Sequence, residues 1–416
     1  MREPGRAAGC WTASCHMPPT IHSMALSPDI CIRGAGIVGR SLALLLARER
    51  LRVALVAPPR DPASGHGDVR AYALSPAARH LLESIRCWPD ERFATPVLEM
   101  QVHGDQQGQV QFSASDQGVS ALNWIVDVPA LEAKLAEAVR YQSGIEEVAS
   151  PVHAPLTVVC EGRASQTRAE LGVEFETMAY PQHAIATRLD CEYAHDQIAR
   201  QWFTPAGEIL AFLPLDGPQG KQVAVVWSVQ AERVRELMDC EPGAFAAQLA
   251  EISGKALGTL ALAAERATWP LMLAHAKRWV GPMTKRPGES FALAGDAAHA
   301  MHPLAGQGLN VGLADACELA RILAAREAWR GLGDMRLLRR YERARQADWL
   351  RMSLATDTLQ QLFSRPETLL SAIRNWGMTA FDHSGPIKSR VARLAMGTAG
   401  VSGRQNLFQP VKPNSK

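Results

Sequence analysis

The sequence predicts an α/β fold with an inserted mixed β-sheet domain and a helical C-terminal segment. A glycine-rich turn at 34–39 lies between a strand and a helix, and a second strand–turn–helix run occupies 291–310. Between 172 and 281 the pattern changes to alternating strands. The predicted division is a disordered extension at 1–27, a nucleotide-binding unit at 28–170 (with a piece of the inserted domain near 95–122), the inserted sheet at 171–284, the rest of the nucleotide-binding unit at 285–345, and helices at 346–416.

Length and composition indicate a globular protein of two or three domains. The chain has 416 residues, 47% of them hydrophobic and 21% charged. A net charge of +2 argues against a nucleic-acid-binding surface, which needs clustered positive charge. No apolar run approaches the roughly 20 residues that span a bilayer. We therefore expect a cytoplasmic protein that is soluble or only peripherally bound to a membrane.

The cysteines indicate reduced thiols and no metal site. Eight cysteines are scattered without a Cys-x-x-Cys pair, which favours buried thiols over disulfides. Cys10, Cys15 and His16 supply three potential ligands but no fourth, so no metal is predicted there. Residues 1–23 lack the apolar stretch of a secretory signal, and Met24 is an alternative start.

The first glycine motif predicts a Rossmann-like dinucleotide site. Gly34, Gly36 and Gly39 follow a strand at 29–33 and open a helix at 37–48, with a second strand at 52–57. In this pattern Gly34 makes the turn, Gly36 admits a pyrophosphate and Gly39 lets helix and strand pack closely. The acid expected at the end of the second strand is replaced by Ala57, and the nearest carboxylate is Asp61.

The second run predicts a cradle for a polar, electron-rich group. The apolar strand at 291–294 delivers the carboxylate of Asp296 to its tip, just after Gly295. Glycines then allow close backbone approach, and the following helix points its amides and positive dipole end at the ligand. The candidate ligand-binding residues of this run are Gly295, Asp296, Pro303, Gly306, Gln307, Gly308, Leu309 and Asn310.

This run closely resembles the second flavin-binding motif of the class A flavoprotein aromatic hydroxylases, in particular their ubiquinone-biosynthesis branch. The resemblance implies that Asp296 holds the ribityl chain of FAD and that 303–310 lies beside the isoalloxazine ring. Residues 68–75 are similar to the family's Arg-x-x-Ala-Leu-Ser segment, which implies that Arg70 lies near the cofactor; from the residues alone, Arg70 as a surface cap is equally expected. Residues 161–168 resemble the family's Asp-Gly-x-x-Ser-x-x-Arg motif, with Glu161 in place of the aspartate, then Gly162, Ser165 and Arg168.

Two further regions resemble the same family. Residues 201–207 and 211–215, with Trp227, are similar to the substrate-domain sheet above the flavin. Segments at 356–363, 374–377 and 395–397 resemble the ubiquinone branch. No catalytic base is predicted. A basic helix face at Arg336, Arg339, Arg340 and Arg343 is either solvated or in contact with an anionic surface.

The resemblance implies an FAD-dependent monooxygenase that uses NAD(P)H as co-substrate and a hydroperoxyflavin to hydroxylate an aromatic ring. Its expected partners are O₂ and a lipophilic aromatic substrate, a prenylated phenol of ubiquinone biosynthesis, with peripheral membrane contact or a biosynthetic complex. One alternative is another FAD oxidoreductase of this fold. The other is a flavin-binding, non-catalytic subunit of an assembly, which the departures at Ala57 and Glu161 motivate.

Overall fold

The computed structural model describes residues 27–57, 68–104, 108–300 and 308–364, with side chains of the last helix described to Arg351. The expected N-terminal extension, Asp61, Pro303, Gly306, Gln307 and the segments at 374–377 and 395–397 lie outside these residues.

Eighteen strands and eight α-helices form within the described residues. The strands are β1 (Ile30–Arg33), β2 (Val53–Val56), β3 (Ala71–Leu74), β4 (Ala94–Val97), β5 (Glu99–His103), β6 (Gln109–Ser113), β7 (Asn123–Asp127), β8 (Ile145–Val148), β9 (Leu156–Val159), β10 (Phe175–Cys191), β11 (Ile198–Phe203), β12 (Ile209–Leu215), β13 (Gln222–Gln230), β14 (Leu260–Leu262), β15 (Ala267–Ala276), β16 (Val280–Pro282), β17 (Ser290–Leu293) and β18 (His299–Ala300). The helices are α1 (Ile37–Arg48), α2 (Pro76–Ser84), α3 (Val128–Tyr141), α4 (Gln166–Glu170), α5 (Val234–Asp239), α6 (Pro242–Ile252), α7 (Gly308–Ala324) and α8 (Met335–Ser364).

A six-stranded sheet in the order β16-β17-β9-β1-β2-β8 forms the first layer, and it is parallel except for β16. Its central strands β2, β9 and β17 are buried at every position, as expected of short apolar runs in a sheet covered on both faces. Helices α1, α3, α7 and α8 contribute to the same core. The strand–Gly–helix and strand–Gly–Asp–helix units therefore meet in one sheet, which confirms the predicted α/β fold.

A nine-stranded sheet forms the second layer, in the order β18-β15-β10-β13-β12-β11-β5-β6, with β14 paired to β10. The predicted strand at 182–188 is the second half of the 17-residue β10. Its first half was not predicted because Pro181 interrupts the strand pattern. At the same place the pairing with β15 shifts register, between Ala179 and His183. Strands β5 and β6, from the segment near 95–122, extend this sheet at its other end.

Two smaller features complete the fold. A three-stranded antiparallel sheet, β3-β7-β4, packs on the nine-stranded sheet through Ala73, Val97 and Ile125. Helix α8 runs without interruption through position 346, where the sequence suggested a boundary, because Tyr341, Arg345 and Trp349 on its inner face are buried. Over the described residues, none of the helices has the length and apolarity that crossing a bilayer requires.

Candidate cofactor site

The glycine-rich turn between β1 and α1 leaves an open approach at one glycine and none at the others. Gly34 has φ +110°, and a Cβ there would lie 2.4 Å from the carbonyl oxygen of Cys160. A Cβ at Gly39 would lie 1.9 Å from the carbonyl oxygen of Gly34, whereas one at Gly36 would meet no atom within 4 Å. Helix α1 has neither a side-chain cap nor an acid in its first turn. Its first amides therefore receive no side-chain cap at Gly36, the position with the open approach, which suits a phosphate group.

Asp296 lies on a short 3₁₀ turn, Gly295–Ala297, directly after β17. Gly295 has φ +61°, a conformation that glycine adopts without strain. The Asp296 side chain is exposed, yet desolvation by the surrounding protein raises the pKa of its carboxyl. The charges of His299, Arg163 and Arg70 oppose that rise. None of the described residues donates a hydrogen bond to this carboxylate. It is thus placed to accept hydrogen bonds from ligand hydroxyl groups.

Asn310 joins two motifs that are far apart in the sequence. Its Oδ1 accepts a hydrogen bond from the backbone N–H of Ser75 at 2.9 Å, and its Nδ2 donates to the carbonyl oxygen of Ala73 at 2.8 Å. Gly308 and Leu309 open α7 immediately before it. The N-terminus of α7 is therefore fixed beside the β3–α2 connection, in the segment that carries Arg70.

Arg70 is held by a local ion pair. Its Nη2 lies 2.5 Å from Oδ2 of Asp68, and its Nε donates to both oxygens of the same carboxylate. The bidentate pairing raises the pKa of the Arg70 guanidinium, so the group remains a cation throughout the physiological range. Its charge also acts on Asp296, which places the two predicted residues in one electrostatic environment.

Glu161 has a local role that explains how the chain accommodates it in place of the shorter aspartate. One carboxylate oxygen accepts from Arg33 Nε at 3.0 Å and Thr167 Oγ1 at 2.5 Å; the other accepts from Ser165 Oγ at 2.8 Å and the Thr167 N–H at 3.1 Å. Gly162 follows with φ +79°. Burial raises the pKa of the Glu161 carboxyl, but these donors outweigh burial and lower it. Glu161 thereby joins the end of β1 to the start of α4.

Arg168 connects the Glu161 segment to the Asp296 turn. Its side chain is buried and donates to the carbonyl oxygen of Ala297 at 3.1 Å and to that of Arg163 at 2.8 Å. The guanidinium lies 3.6 Å from the ring centroid of Phe175. The end of β1, the Glu161 segment and the Asp296 turn therefore lie together at the carboxyl edge of the six-stranded sheet.

Sequence reasoning missed a buried charged cluster behind this turn. Asp315, His299 and Arg345 are 0%, 1% and 6% exposed, and Asp315 accepts a hydrogen bond from the backbone N–H of Gly295 at 2.9 Å. A carboxylate on the apolar stripe of α7, between Val311 and Leu319, was the signal that could have revealed it, because a charge at a core-facing position needs a buried partner. The described residues contain no group of three or more potential metal ligands.

The residues present fit an FAD molecule. The open position at Gly36 and the uncapped α1 suit the pyrophosphate, the Asp296 carboxylate suits the ribityl hydroxyls, and the α7 N-terminus suits the electron-rich edge of a flavin. The position expected to bind the ribose hydroxyls is Ala57, whose backbone N–H donates to Val148 and whose side chain offers no acceptor. FAD binding is therefore expected to depend mainly on the other contacts.

The raised pKa of Asp296 predicts that FAD affinity depends on pH. Ribityl hydroxyls bind the carboxylate in preference to the carboxylic acid, so bound FAD should lower a pKa that is raised in the FAD-free protein. Affinity should then be greatest at neutral pH and fall as pH decreases through the raised pKa of Asp296. Titration of apoprotein with FAD at a series of pH values measures this. In Asp296→Asn the dependence should largely disappear, and an unaltered pH profile would contradict the assignment.

Comparisons with known proteins agree with this geometry. A family profile described as an FAD binding domain matches residues 113–352, more than half of the chain. The chain is 32% identical over 399 residues to ubiquinone hydroxylase UbiL of Rhodospirillum rubrum, a match that covers 89% of this chain and 90% of that protein. It is 28% identical over 396 residues to the 3-demethoxyubiquinol 3-hydroxylase of Escherichia coli, covering 89% and 98%.

Solved structures show the same fold. The p-nitrophenol 4-monooxygenase PnpA from Pseudomonas putida matches with a TM-score of 0.72 at 16% identity, covering 90% of this chain and 98% of the other. The family profile and the extent of the match to UbiL confirm the family and the branch to which the C-terminal resemblance pointed. The chain belongs to the FAD-dependent aromatic hydroxylases, in the branch that contains the ubiquinone-biosynthesis monooxygenases.

Proposed function

We propose that this monooxygenase hydroxylates the ring of a prenylated phenol in ubiquinone biosynthesis. The observation that carries the proposal is the convergence of the open Gly36 turn, the Asp296 carboxylate and the α7 N-terminus. The similarity to hydroxylases named for ubiquinone and demethoxyubiquinol supports the substrate class. The overall reaction would consume one O₂ and one NAD(P)H for each hydroxyl group formed, with water as the second product.

The residues proposed to hold FAD divide by the part of the cofactor they contact. We assign the pyrophosphate to the turn formed by Gly34, Gly36 and Gly39, where Gly36 leaves the open approach. The ribityl chain is assigned to Asp296 and the ring edge to the start of α7. Bound FAD supplies the redox chemistry that takes electrons from NAD(P)H and activates O₂. The helix dipole of α7 would stabilise negative charge on the reduced ring. The remaining assigned residues are Arg70, Glu161, Gly162, Gly295, Pro303, Gly306, Gln307, Gly308, Leu309 and Asn310.

The nine-stranded sheet offers an apolar surface for the substrate. Its outer face, with Phe212 and Trp227, packs against Phe245 and Leu249 of α6. Side chains alternate along a strand, so Ala184, Ala186, Ala211, Val226 and Ser228 point to the opposite, inner face, which we call the small-residue patch. Val226 pairs with both Ala186 and Ala211, so the patch is continuous across three strands. Ala184, Ala186 and Ser228 are buried, whereas Ala211 and Val226 are partly exposed. We therefore propose that the substrate lies over Ala211 and Val226.

A tail-length series tests the substrate class. Each CH₂-sized group of an isoprenoid tail that leaves water contributes about 0.8 kcal/mol, so substrate-dependent NAD(P)H oxidation should rise steeply with tail length. Phenols that share one ring and carry none, one or three isoprene units are compared by kcat/KM, with product identified by mass spectrometry. Efficient, coupled hydroxylation of 4-hydroxybenzoate alone would contradict the proposal.

A matched pair of variants tests the small-residue patch. Ala211→Phe places a bulky ring on the inner face, where it should lower kcat/KM for the long-tailed phenol by about tenfold or more while FAD affinity stays unchanged. Ala261→Phe adds the same ring at an exposed position of β14 and should have no effect. Equal activity of the two variants would exclude the patch as the substrate surface.

We also propose that α8 contacts an anionic membrane surface. Arg336, Arg339, Arg340 and Arg343 are all exposed, and no ion pair with a described residue neutralises them. The indole of Trp329, 74% exposed, lies just before the helix. Clustered arginines beside an exposed indole are the chemistry that binds anionic headgroups.

Vesicle sedimentation tests the membrane contact. The protein should bind vesicles with 30% phosphatidylserine about tenfold more strongly than neutral vesicles at low salt, since each cation near the surface contributes about 1 kcal/mol. Raising the salt concentration should weaken this binding. Replacing the four arginines with glutamine should remove the preference without altering FAD content. Equal binding to both vesicle types would rule out the contact.

A further inference from the structure

A buried group of charges lies directly behind the cofactor turn and has no part in the contacts assigned above. Asp315 of α7, His299 of β18 and Arg345 of α8 come from three elements and are almost completely inaccessible to solvent. Removing three ionisable groups from water is unfavourable unless each is paired and hydrogen-bonded. Their partners therefore show what the cluster holds in place.

Asp315 is the centre of this cluster. Its Oδ2 accepts hydrogen bonds from the His299 Nε2 at 2.6 Å and from the backbone N–H of Gly295 at 2.9 Å. Its Oδ1 accepts from the Nε of Arg345 at 2.7 Å. Burial raises the pKa of the Asp315 carboxyl, but the charges and hydrogen bonds of His299 and Arg345 hold it below its ordinary value. Asp315 is thus a carboxylate at neutral pH, and it anchors one specific backbone amide.

That amide belongs to the residue that sets the direction of Asp296. Gly295 is in the left-handed region, and its Cα is so close to α7 that a Cβ at Gly312 would lie 3.3 Å from it. The same Cβ would lie 2.8 Å from Cγ2 of Val38 on α1. Since the turn is packed between two helices, a change in the Gly295 anchor should move the neighbouring carboxylate.

Arg345 extends the anchor to the C-terminal helix. Besides Asp315, its Nη1 pairs with Asp348 at 2.7 Å, and its Nη2 donates to the carbonyl oxygen of Val311 at 3.4 Å. One turn earlier on α8, the Tyr341 hydroxyl donates to the carbonyl oxygen of Leu293, the last residue of β17, at 2.8 Å. Helix α8 therefore contacts both the strand that leads into the turn and the carboxylate that holds it.

We propose that Asp315 is a positioning residue that fixes the Gly295–Asp296 turn for FAD binding, and that Arg345 makes this depend on the docking of α8. The inference rests on the FAD contact assigned to Asp296 under the proposed function. Cofactor affinity and α8 docking are then thermodynamically linked: FAD stabilises the docked helix, and weakening the Arg345–Asp315 contact weakens FAD binding.

The test separates positioning from stability with a double variant. Asp315→Leu with Arg345→Met replaces the buried ion pair by apolar side chains of similar size, an exchange that often preserves or improves stability. The Gly295 N–H nevertheless loses its acceptor. We expect the apoprotein to fold, with a melting temperature lowered because the Gly295 N–H and His299 lose their acceptor, and FAD affinity, measured by flavin fluorescence titration, to be at least about tenfold weaker. Glu318→Gln, which changes the partly buried pair with Arg321 on the same helix, is the control and should bind FAD normally.

Wild-type FAD affinity in the folded double variant would overturn the proposal. Loss of the Asp315–Arg345 pair and of the Gly295 acceptor would then have left FAD binding unchanged. If the double variant does not fold, hydrogen exchange of the wild-type protein decides. In the apoprotein the Gly295 amide should be protected from hydrogen exchange and should exchange at the same rate as the amides of α8 near Arg345. Bound FAD should lower the exchange rates of both. Free exchange at Gly295, or exchange independent of α8, would overturn the proposal. An incorrect substrate assignment can be distinguished from an incorrect role of Asp315, because the wild-type protein would still bind FAD if only the substrate class were wrong.

Discussion

Asp296→Ala is expected to lose most of its bound FAD while the protein remains folded. The carboxylate is exposed and receives no hydrogen bond from the described residues, so its removal breaks no internal contact that they reveal. Each charge-assisted hydrogen bond to a ribityl hydroxyl contributes about 1.5–3 kcal/mol, so even one lost bond weakens binding by about tenfold or more. Flavin absorbance of the purified protein and FAD titration of the apoprotein measure the loss.

Asp116→Ala is the matched control for this variant. Asp116 is an exposed aspartate in a short 3₁₀ turn, like Asp296, but it lies in the connection after β6, between Ser115 and Gln117. Its replacement should leave flavin content unchanged. Equal FAD affinity in Asp296→Ala and Asp116→Ala would reject the role assigned to Asp296.

Two alanine substitutions in the first glycine motif are expected to have different effects, one on FAD binding and one on stability. At Gly36 the backbone has φ −79°, and an added Cβ meets no protein atom, so Gly36→Ala should fold and melt like the wild type. The new methyl group would occupy the approach of the pyrophosphate, and FAD affinity should fall by about a hundredfold. Loss of FAD without loss of apoprotein stability is the expected signature.

Gly39→Ala should instead destabilise the folded protein. Its Cβ would lie 1.9 Å from the carbonyl oxygen of Gly34, a distance that requires the backbone of the turn to move. Overpacking of this kind costs about 1–3 kcal/mol or more, which lowers the melting temperature even without cofactor. Thermal melts of the two apoproteins distinguish the cases. A stable Gly39→Ala variant, or a Gly36→Ala variant with normal FAD content, would contradict the account of this motif.

The local units of the cofactor site could be predicted from the sequence because their signals are local. The spacing of Gly34, Gly36 and Gly39 after an apolar strand restricts the turn and the helix together, and the structure has them at the predicted positions. The strand at 291–294 and its terminal Asp296 are equally local, and β17 ends one residue earlier than predicted.

The long-range features could not be predicted because their causes lie elsewhere in the chain. Strand β18 has two residues and exists because His299 pairs with His275 of β15. The four donors to Glu161 come from β1, from Ser165 and from α4, so the fit of its longer side chain could be judged only once those elements were placed. Arg345 lies two residues beyond the predicted basic face that ends at Arg343, and its spacing from Tyr341 and Trp349 places it on the buried face instead.

Incubation with ¹⁸O₂ tests whether the protein transfers an oxygen atom from O₂ to the ring of a prenylated phenol. Protein loaded with FAD is supplied with NAD(P)H and a phenol bearing an isoprenoid tail, and the product is analysed by mass spectrometry while NAD(P)H consumption and peroxide are measured. For a coupled monooxygenase we expect one ¹⁸O atom in each product molecule, one NAD(P)H consumed per product molecule and little peroxide. NAD(P)H oxidation that yields only peroxide, or a product whose oxygen comes from water, would contradict it.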